Sequence, residues 1–211
     1  MKKNYLVTKI VFGLCAGIFA TSCISDTESP ILTEQLEKSV ALSEGTSGEE
    51  NLRKLPEFNY IEKFSNQITV IVGGQGEFGS LVFLPGTGVG NATFIGKSYS
   101  FLNQLAIGPT TTVSAPVTQF YSEELEALGL TDIPDNVNSL TTDGKGNAIF
   151  FESGTNTGVI ISATKTEFSA ELTVVGGTGK FLGVTGEGKV EGYYNPTNGV
   201  GASTVRANIK F

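Results

Sequence analysis

The feature that most constrains the fold is a series of short alternating segments separated by glycines, which occupies the chain from residue 65 onward. Of the 27 glycines, 23 lie between Gly73 and Gly201. Glycine favours the tight turns that join antiparallel strands. Short, regularly spaced strands with turn residues between them predict a β-sandwich or a β-barrel. The candidate strands are residues 67–73, 78–84, 91–101, 110–117, 147–152, 157–164, 167–175, 186–194 and 202–211.

Two of these segments alternate with a clear period of two. Each places four apolar side chains on one face and polar side chains on the other, as expected for an antiparallel sheet with one buried and one wet face. The predicted buried sets are Phe168, Ala170, Leu172 and Val174 in the first segment and Val205, Ala207, Ile209 and Phe211 in the last.

The segment 186–194 places three glycines, Val190 and Tyr194 on one face. If that face points inward, the glycines either leave room for a ligand or relieve crowding against a neighbouring strand. The opposite face carries Glu187, Lys189 and Glu191, which we expect to form cross-strand charge pairs in water with the last strand.

One helix is predicted, over residues 122–128, inside a long connection that spans roughly residues 118–142. Ser122 is the expected N-cap, and Gly129 supplies the C-terminal stop. Long connections are often functional, so this one is interpreted either as a lid over a barrel mouth or as a simple cap over a barrel end.

Two glycine-rich segments superficially match nucleotide-binding motifs. Residues 74–79 (GQGEFG) fit G-x-G-x-x-G, but a predicted strand follows them instead of the helix that a pyrophosphate requires. Residues 176–180 lack the first glycine and the Ser/Thr of a P-loop. The two segments instead resemble each other: residues 72–78 and 175–181 align without gaps and predict repeated hairpin turns, each followed by a core phenylalanine.

The second of these segments carries a resemblance to a known family. Residues 174–188 (VVGGTGKFLGVTGEG) are similar to the GGTGxFxxAxG hairpin of allene oxide cyclase-like and dirigent-like barrels, although Val184 and Thr185 stand where Ala and a basic residue are common. Residues 90–96 (GNATFIG) are similar to an earlier strand of bacterial relatives. The resemblance implies an all-β fold with a closed antiparallel eight-stranded barrel. Plant members are often dimeric or trimeric, so it also implies a possible homo-oligomer.

Family members bind oxylipins or phenolic radicals in the barrel and steer their cyclisation or coupling. None of their catalytic residues maps onto a position of this chain. An eight-stranded barrel is filled by side chains or holds one small ligand. The aromatic residues expected at such a cavity are Phe94, Phe150, Phe168 and Tyr194.

The N-terminus has the features of an export signal. Lys2, Lys3 and Lys9 precede the apolar run 10–20, which is too short to span a bilayer as a helix. Residues 20–23 (ATSC) then resemble a bacterial lipobox, which makes Cys23 the expected site of lipid attachment. The alternative is ordinary cleavage before Cys23, which would leave a free thiol. The predicted organisation is a signal peptide over 1–22, an acidic flexible tether over 23–63 and a β-barrel domain over 64–211.

The net charge of the chain further limits the classes of molecule that it is expected to bind. Removing the three lysines of the signal peptide leaves 11 basic and 21 acidic side chains, a net charge of −10. Such a balance argues against binding to nucleic acid or to anionic membrane surfaces, which use basic patches. Membrane attachment is therefore expected through lipid on Cys23, which places the protein in the bacterial cell envelope, at the outer membrane. The tether is alternatively a partner-docking segment.

Composition also limits the chemistry. The chain has no histidine and two cysteines, which excludes a Ser-His-Asp triad, a His-ligated metal and a Cys₄ zinc site. No cofactor is expected and no catalytic residue is assigned. The acid–base candidates, interpreted mainly as surface or turn residues, are Asp143, Glu152, Glu187, Glu191, Tyr193 and Tyr194.

Three functions stay open at this point. The favoured one is a lipoprotein whose barrel binds a small apolar ligand or a partner. The alternatives are a cofactor-free cyclase or isomerase of an apolar small molecule, and a structural or adhesive surface domain.

Overall fold

A computed structural model of the chain describes residues 56–76 and 79–211. The described residues form mostly antiparallel strands, with one α-helix, α1 (Thr118–Ala127). The strands are β1 (Phe58–Ile68), β2 (Ile71–Gly76), β3 (Gly79–Phe83), β4 (Gly86–Ala92), β5 (Gly96–Leu102), β6 (Gln104–Ala106), β7 (Thr111–Ser114), β8 (Ser139–Thr142), β9 (Ala148–Ser153), β10 (Asn156–Ser162), β11 (Lys165–Thr178), β12 (Thr185–Tyr194) and β13 (Val200–Lys210).

Eight strands close into a barrel, which confirms the predicted fold class. Their order around the wall is β1, β4, β5, β8, β9, β11, β12 and β13, and β13 pairs with β1 to complete the circle. All of these pairings are antiparallel. Closure leaves none of these eight strands at a free barrel edge.

A second group of strands, which we call the rim sheet, extends the wall at one end of the barrel. It contains β10, β7, β6, β3 and β2 in that order. The 14-residue strand β11 joins the two groups, because Lys165–Ser169 pair with β10 while Leu172–Thr178 pair with β9. The rim sheet therefore lies at the end of the barrel where β1 ends.

Apolar side chains fill the other end of the barrel, where β1 begins. Tyr60, Phe151, Phe181 and Ile209 are fully buried or nearly so and belong to one contiguous cluster. The alternation predicted for β11 and β13 is confirmed, since their apolar faces point into this interior. Phe181 closes the turn after the second glycine-rich segment, as its predicted role as a core phenylalanine requires.

The glycines of β12 accommodate a close neighbour. A Cβ on Gly188 would lie 2.6 Å from the Cα of Ala207 on β13, and one on Gly192 would lie 2.7 Å from the ring of Phe168. Real Cβ atoms do not approach other atoms so closely, so β12 and β13 can pack at this separation only with glycine. Of the two interpretations of these glycines, relief of crowding is therefore the one that the structure supports.

The helix differs from its prediction in both extent and place. α1 begins at Thr118, so Ser122 is not the N-cap; its hydroxyl instead donates a 2.5 Å hydrogen bond to the carbonyl of Thr118 within the helix. The C-terminal stop is confirmed: Gly129 has a φ of +76°, and Leu130 N–H reaches the carbonyl of Leu125 in a Schellman arrangement.

α1 covers the outer wall of the barrel, so it is neither a lid over the mouth nor a cap over the end. Leu125 packs with Leu140, Ala148 and Phe150, which are the outward-facing apolar residues of β8 and β9. These side chains require a cover because an exposed apolar patch on the wall would be unfavourable in water.

The remaining predictions concern the N-terminal part of the chain. β1 begins at Phe58, so residues 58–63 of the expected tether form the first part of a barrel strand. The signal peptide, Cys23 and residues 23–55 of the tether lie outside the described residues. Within the described part of the chain, no helix has the length and apolarity needed to cross a bilayer.

Candidate functional site

A cavity of about 400 Å³ lies at the junction of the barrel and the rim sheet. On the barrel side its wall includes Asn66, Val190 and Ser203, and on the rim side it includes Gln104 and Asn156. Its volume falls within the range of small-molecule pockets in proteins, near the lower end. The cavity forms because the rim sheet extends the wall beyond the apolar core cluster, which fills only the end of the barrel where β1 begins.

The wall of the cavity is uncharged. About half of the described lining residues are apolar, among them Ile68, Leu102 and Phe168, and the others carry hydroxyl or amide groups. None of these described residues is Asp, Glu, Lys or Arg. A charged ligand would lose its hydration here without gaining an ionic partner, so the lining suits a neutral molecule.

Besides Asn138 and Ser153, which hydrogen-bond to each other, two polar clusters lie in the wall. In the first, Asn66 Nδ2 donates a 2.9 Å hydrogen bond to Ser203 Oγ. In the second, Gln104 Oε1 accepts hydrogen bonds from Asn156 Nδ2, at 3.2 Å, and from the hydroxyl of Thr112. Both clusters consist of neutral groups held on neighbouring strands.

Each cluster leaves one buried acceptor unused. The Oδ1 atoms of Asn66 and Asn156 have no hydrogen-bond partner among the described residues, although the two side chains are only 6% and 8% exposed. Buried polar atoms are normally hydrogen-bonded, and leaving one without a partner is costly. Ser98 Oγ and Asn103 Oδ1 are also unpartnered in the described part of the chain, but neither residue lines the cavity.

A buried carboxyl group lies deeper in the barrel. Glu62 Oε2 accepts hydrogen bonds of 2.7 Å from Tyr60 Oη and 2.7 Å from Thr141 Oγ1. Burial raises the pKa of Glu62 to about 7, and the two hydrogen bonds only partly oppose this effect. Burial also raises the pKa of Tyr60 well above its usual value, and the charge of Glu62 adds to that rise.

Glu62 is separated from the cavity. Along the inward face of β1 the buried Phe64 lies between Glu62 and Asn66, and neither Glu62 nor Tyr60 is part of the lining. Sequence reasoning missed Glu62 because it assigned residues 58–63 to the tether. The signal was nevertheless present, since Phe58, Tyr60 and Phe64 fall on alternate positions of one strand face, with Glu62 at the remaining position between them.

Two of the four aromatic residues expected at a cavity are found there. Phe168 and Tyr194 line it. Phe150 instead points outward from β9 into the cluster beneath α1. Phe94 follows β4 at the filled end, where its ring meets that of Phe58 edge-on at a centroid distance of 6.1 Å.

The acid–base candidates, apart from Tyr194, are dispersed over the surface. Glu191 pairs with Arg206 of β13 at 3.6 Å, which is a cross-strand pair of the predicted kind, and with Lys189 of its own strand at 2.6 Å. The carboxyl of Glu152 accepts a 2.8 Å hydrogen bond from Asn136, and Asp143 holds the turn before β9 through Lys145 and Asn147. No group of acidic or cysteine side chains with metal-binding geometry occurs among the described residues.

Comparisons of the chain with protein-family models, with curated proteins and with solved structures give no match. The closed eight-stranded barrel is thus established by the strand pairing alone. The resemblance to allene oxide cyclase-like and dirigent-like barrels stays a prediction from the hairpin residues.

Proposed function

We propose that this protein is a cell-envelope lipoprotein whose β-barrel binds a small, neutral, largely apolar molecule. The observation that carries the proposal is the cavity between the barrel and the rim sheet, with its uncharged wall of mixed apolar and amide or hydroxyl groups. Burial of apolar ligand surface in such a cavity drives binding, and the few polar groups set the orientation of the ligand.

The position of Glu62 favours binding over the cyclase or isomerase alternative. A general acid or base acts within hydrogen-bond reach of its substrate. Glu62 and Tyr60 instead bond to each other behind Phe64, and the carboxyl groups of the described surface lie away from the cavity. A purely structural or adhesive domain has no need of such a cavity.

Titration with N-phenyl-1-naphthylamine, a neutral probe that fluoresces in apolar surroundings, tests this proposal. We expect saturable binding with one site per chain. Val190→Phe, which places a larger side chain at the cavity wall, should weaken probe binding at least tenfold. Glu187→Phe introduces the same side chain on the outer face of the same strand and should leave affinity unchanged. Absence of saturable binding, or equal affinity in both variants, would contradict the proposal.

Lipid attachment at Cys23 is the second part of the proposal. It is supported by the basic residues, the short apolar run and the ATSC sequence at residues 20–23. Growth with an alkyne-labelled fatty acid should label the wild-type protein in the membrane fraction. Cys23→Ala should abolish the label and Cys15→Ala should not. Label retained by Cys23→Ala would disprove attachment at this residue.

A further inference from the structure

We propose that one end of the protein docks on the hydrocarbon of a lipid bilayer, through a surface that we call the apolar rim. This inference goes beyond the proposed function, because it assigns a partner to a surface outside the cavity. The apolar rim consists of aliphatic side chains from three segments of the chain, each more than half exposed. They are Val70, Val72, Ile107, Val159, Ile160 and Ile161.

The strand directions place these three segments at the same end of the molecule. β11 runs towards the core cluster, so β10 runs away from it, and β6 and β2 do the same because all the pairings between them are antiparallel. The β6–β7 and β10–β11 hairpins are joined where Gly158 N–H donates a 2.7 Å hydrogen bond to the carbonyl of Thr110. Val72 lies opposite Val82, which in turn lies opposite Ala106 on β6.

The apolar rim adjoins the cavity. Val70 is 61% exposed and also lines the cavity. Pro109 lines it in the hairpin that carries Ile107, and Gly158 lines it immediately before Val159. Apolar surface therefore continues from the cavity wall to the outside of the protein at this end. A bilayer that covers the apolar rim would also lie against the cavity.

The segments that carry the apolar rim contain no charged residue, and they contain no Tyr, Trp or Arg. They are residues 69–76, 104–114 and 156–164. Glu77 follows the first segment and lies outside the described residues. At the start of β11, Lys165 and Glu167 pair with each other at 2.6 Å. Exposed apolar patches mark protein or membrane contacts, but protein interfaces depend mainly on Trp, Tyr and Arg. Uncharged Val and Ile side chains instead suit hydrocarbon.

The chain that precedes the barrel is long enough to present this end to the membrane that holds the proposed lipid on Cys23. The described residues begin at Pro56, near the filled end where β1 begins. Residues 24–55 can extend over at most about 110 Å. The 11 residues of β1 cover about 35 Å. The chain can therefore pass alongside the barrel from the filled end to a bilayer at the apolar rim.

We expect the docking to be shallow. β2 is the last strand of the rim sheet and, among the described residues, pairs on one side only. Backbone groups that no strand pairs cannot enter hydrocarbon. The aliphatic side chains should therefore contact the acyl chains while the backbone stays among the headgroups, as in other interfacial proteins.

A single introduced tryptophan tests the docking, because the chain has none of its own. Protein expressed from the full-length chain and carrying Ile160→Trp is combined with phosphatidylcholine vesicles whose acyl chains are brominated, since bromine quenches tryptophan on contact. We expect quenching and a blue-shifted emission. Leu182→Trp, at a 79% exposed aliphatic position of the filled end, is the control and should not be quenched. Vesicles without anionic lipid exclude attraction by charge.

A second pair of variants assigns the quenching to the apolar rim. Ile161→Asp, combined with Ile160→Trp, should reduce the quenching to the level of the Leu182→Trp control, because a carboxylate is costly to place in hydrocarbon. Val89→Asp in the same background is the matched control, because Val89 is on the outer wall and both residues are 53% exposed. It should leave the quenching unchanged.

The outcomes separate membrane docking from a protein contact. Absence of quenching in Ile160→Trp, or equal quenching in Leu182→Trp, would overturn the docking, as would quenching that Ile161→Asp does not reduce. Self-association in the absence of vesicles that Ile161→Asp abolishes, without quenching by lipid, would identify the apolar rim as an interface between copies instead.

The outcomes are also distinct from those of the proposed function. Cavity binding is measured with N-phenyl-1-naphthylamine in the absence of vesicles. Saturable probe binding without quenching by lipid would overturn the docking and leave the proposed function intact. Quenching without probe binding would do the reverse.

Discussion

The hydroxyl of Tyr60 donates a 2.7 Å hydrogen bond to Oε2 of Glu62, two residues away on the same inward face of β1. A strand places residues i and i+2 on one side of the sheet, so this contact follows directly from local geometry. Glu62 is nevertheless only 5% exposed, and its burial shapes how the stability of the barrel depends on pH.

The first prediction concerns the pH dependence of unfolding. The pKa of Glu62 is about 7 in the folded protein against 4.5 for the ordinary side chain. The unfolded chain therefore releases this proton at lower pH than the folded one, and stability falls as pH rises from about 4.5 to 7. The loss from this group amounts to about 3 kcal/mol when complete.

Glu62→Gln isolates this contribution, because it keeps an acceptor for Tyr60 and Thr141 but carries no charge. Urea unfolding should show that the stability of the variant relative to wild type increases by about 3 kcal/mol between pH 4 and pH 8. If the stability difference between variant and wild type stays constant over this range, the pKa of Glu62 is not raised by burial.

The second prediction concerns Tyr60→Phe. The hydrogen bond from Tyr60 lowers the pKa of Glu62 and so favours the carboxylate. Removing the hydroxyl should destabilise the fold by about 1–3 kcal/mol above pH 7, and by less at pH 4 where the carboxyl is protonated. Urea unfolding at the two pH values measures both effects. An equal loss at the two pH values would indicate that the hydroxyl contributes through packing alone.

The third prediction concerns the helix on the outer wall. Leu125→Ala leaves a cavity beneath α1 and should cost about 2–5 kcal/mol of unfolding free energy. Glu126→Ala, at an exposed position of the same helix, should change it by less than about 0.5 kcal/mol. Affinity for N-phenyl-1-naphthylamine should be equal in both variants, because α1 does not line the cavity. Weaker probe binding by Leu125→Ala alone would reveal coupling between the helix and the cavity.

The fourth prediction concerns the close approach of β12 and β13. Gly188→Ala should destabilise the protein by about 1–3 kcal/mol, because its methyl group meets the backbone of β13. Gly73→Ala is the matched control, since nothing lies within 4 Å of its added Cβ and its φ is not positive. Its effect should be small or slightly stabilising. Thermal unfolding should give a lower melting temperature for Gly188→Ala than for Gly73→Ala. Equal melting temperatures would contradict the prediction.

Much of the barrel could be predicted from local patterns. The alternation of β11 and β13 identified their buried faces, and Gly129 identified the end of α1. The prediction of which aromatic residues line the cavity was only partly correct. Phe168 and Phe150 are equally aromatic and both lie in strands, yet only Phe168 lines the cavity. Alternation shows that neighbours face opposite ways, but on β9 both faces are covered, so apolarity does not distinguish inside from outside.

The sequence by itself determined the predominance of short strands with glycine turns and the acidic balance of the chain, because these depend on local alternation or on composition alone. Several strand bounds were wrong: residues 91–101, predicted as one strand, contain the turn between β4 and β5, and β8 lies inside the predicted connection. Only the tertiary structure decided that Asn66 and Asn156 share one cavity, that Glu62 is buried and that α1 covers the outer wall. These relations arise from pairings such as β1 with β13 and β11 with β10. The physical reason is that the register and closure of a barrel join residues far apart in the chain, and no local period records which strands become neighbours.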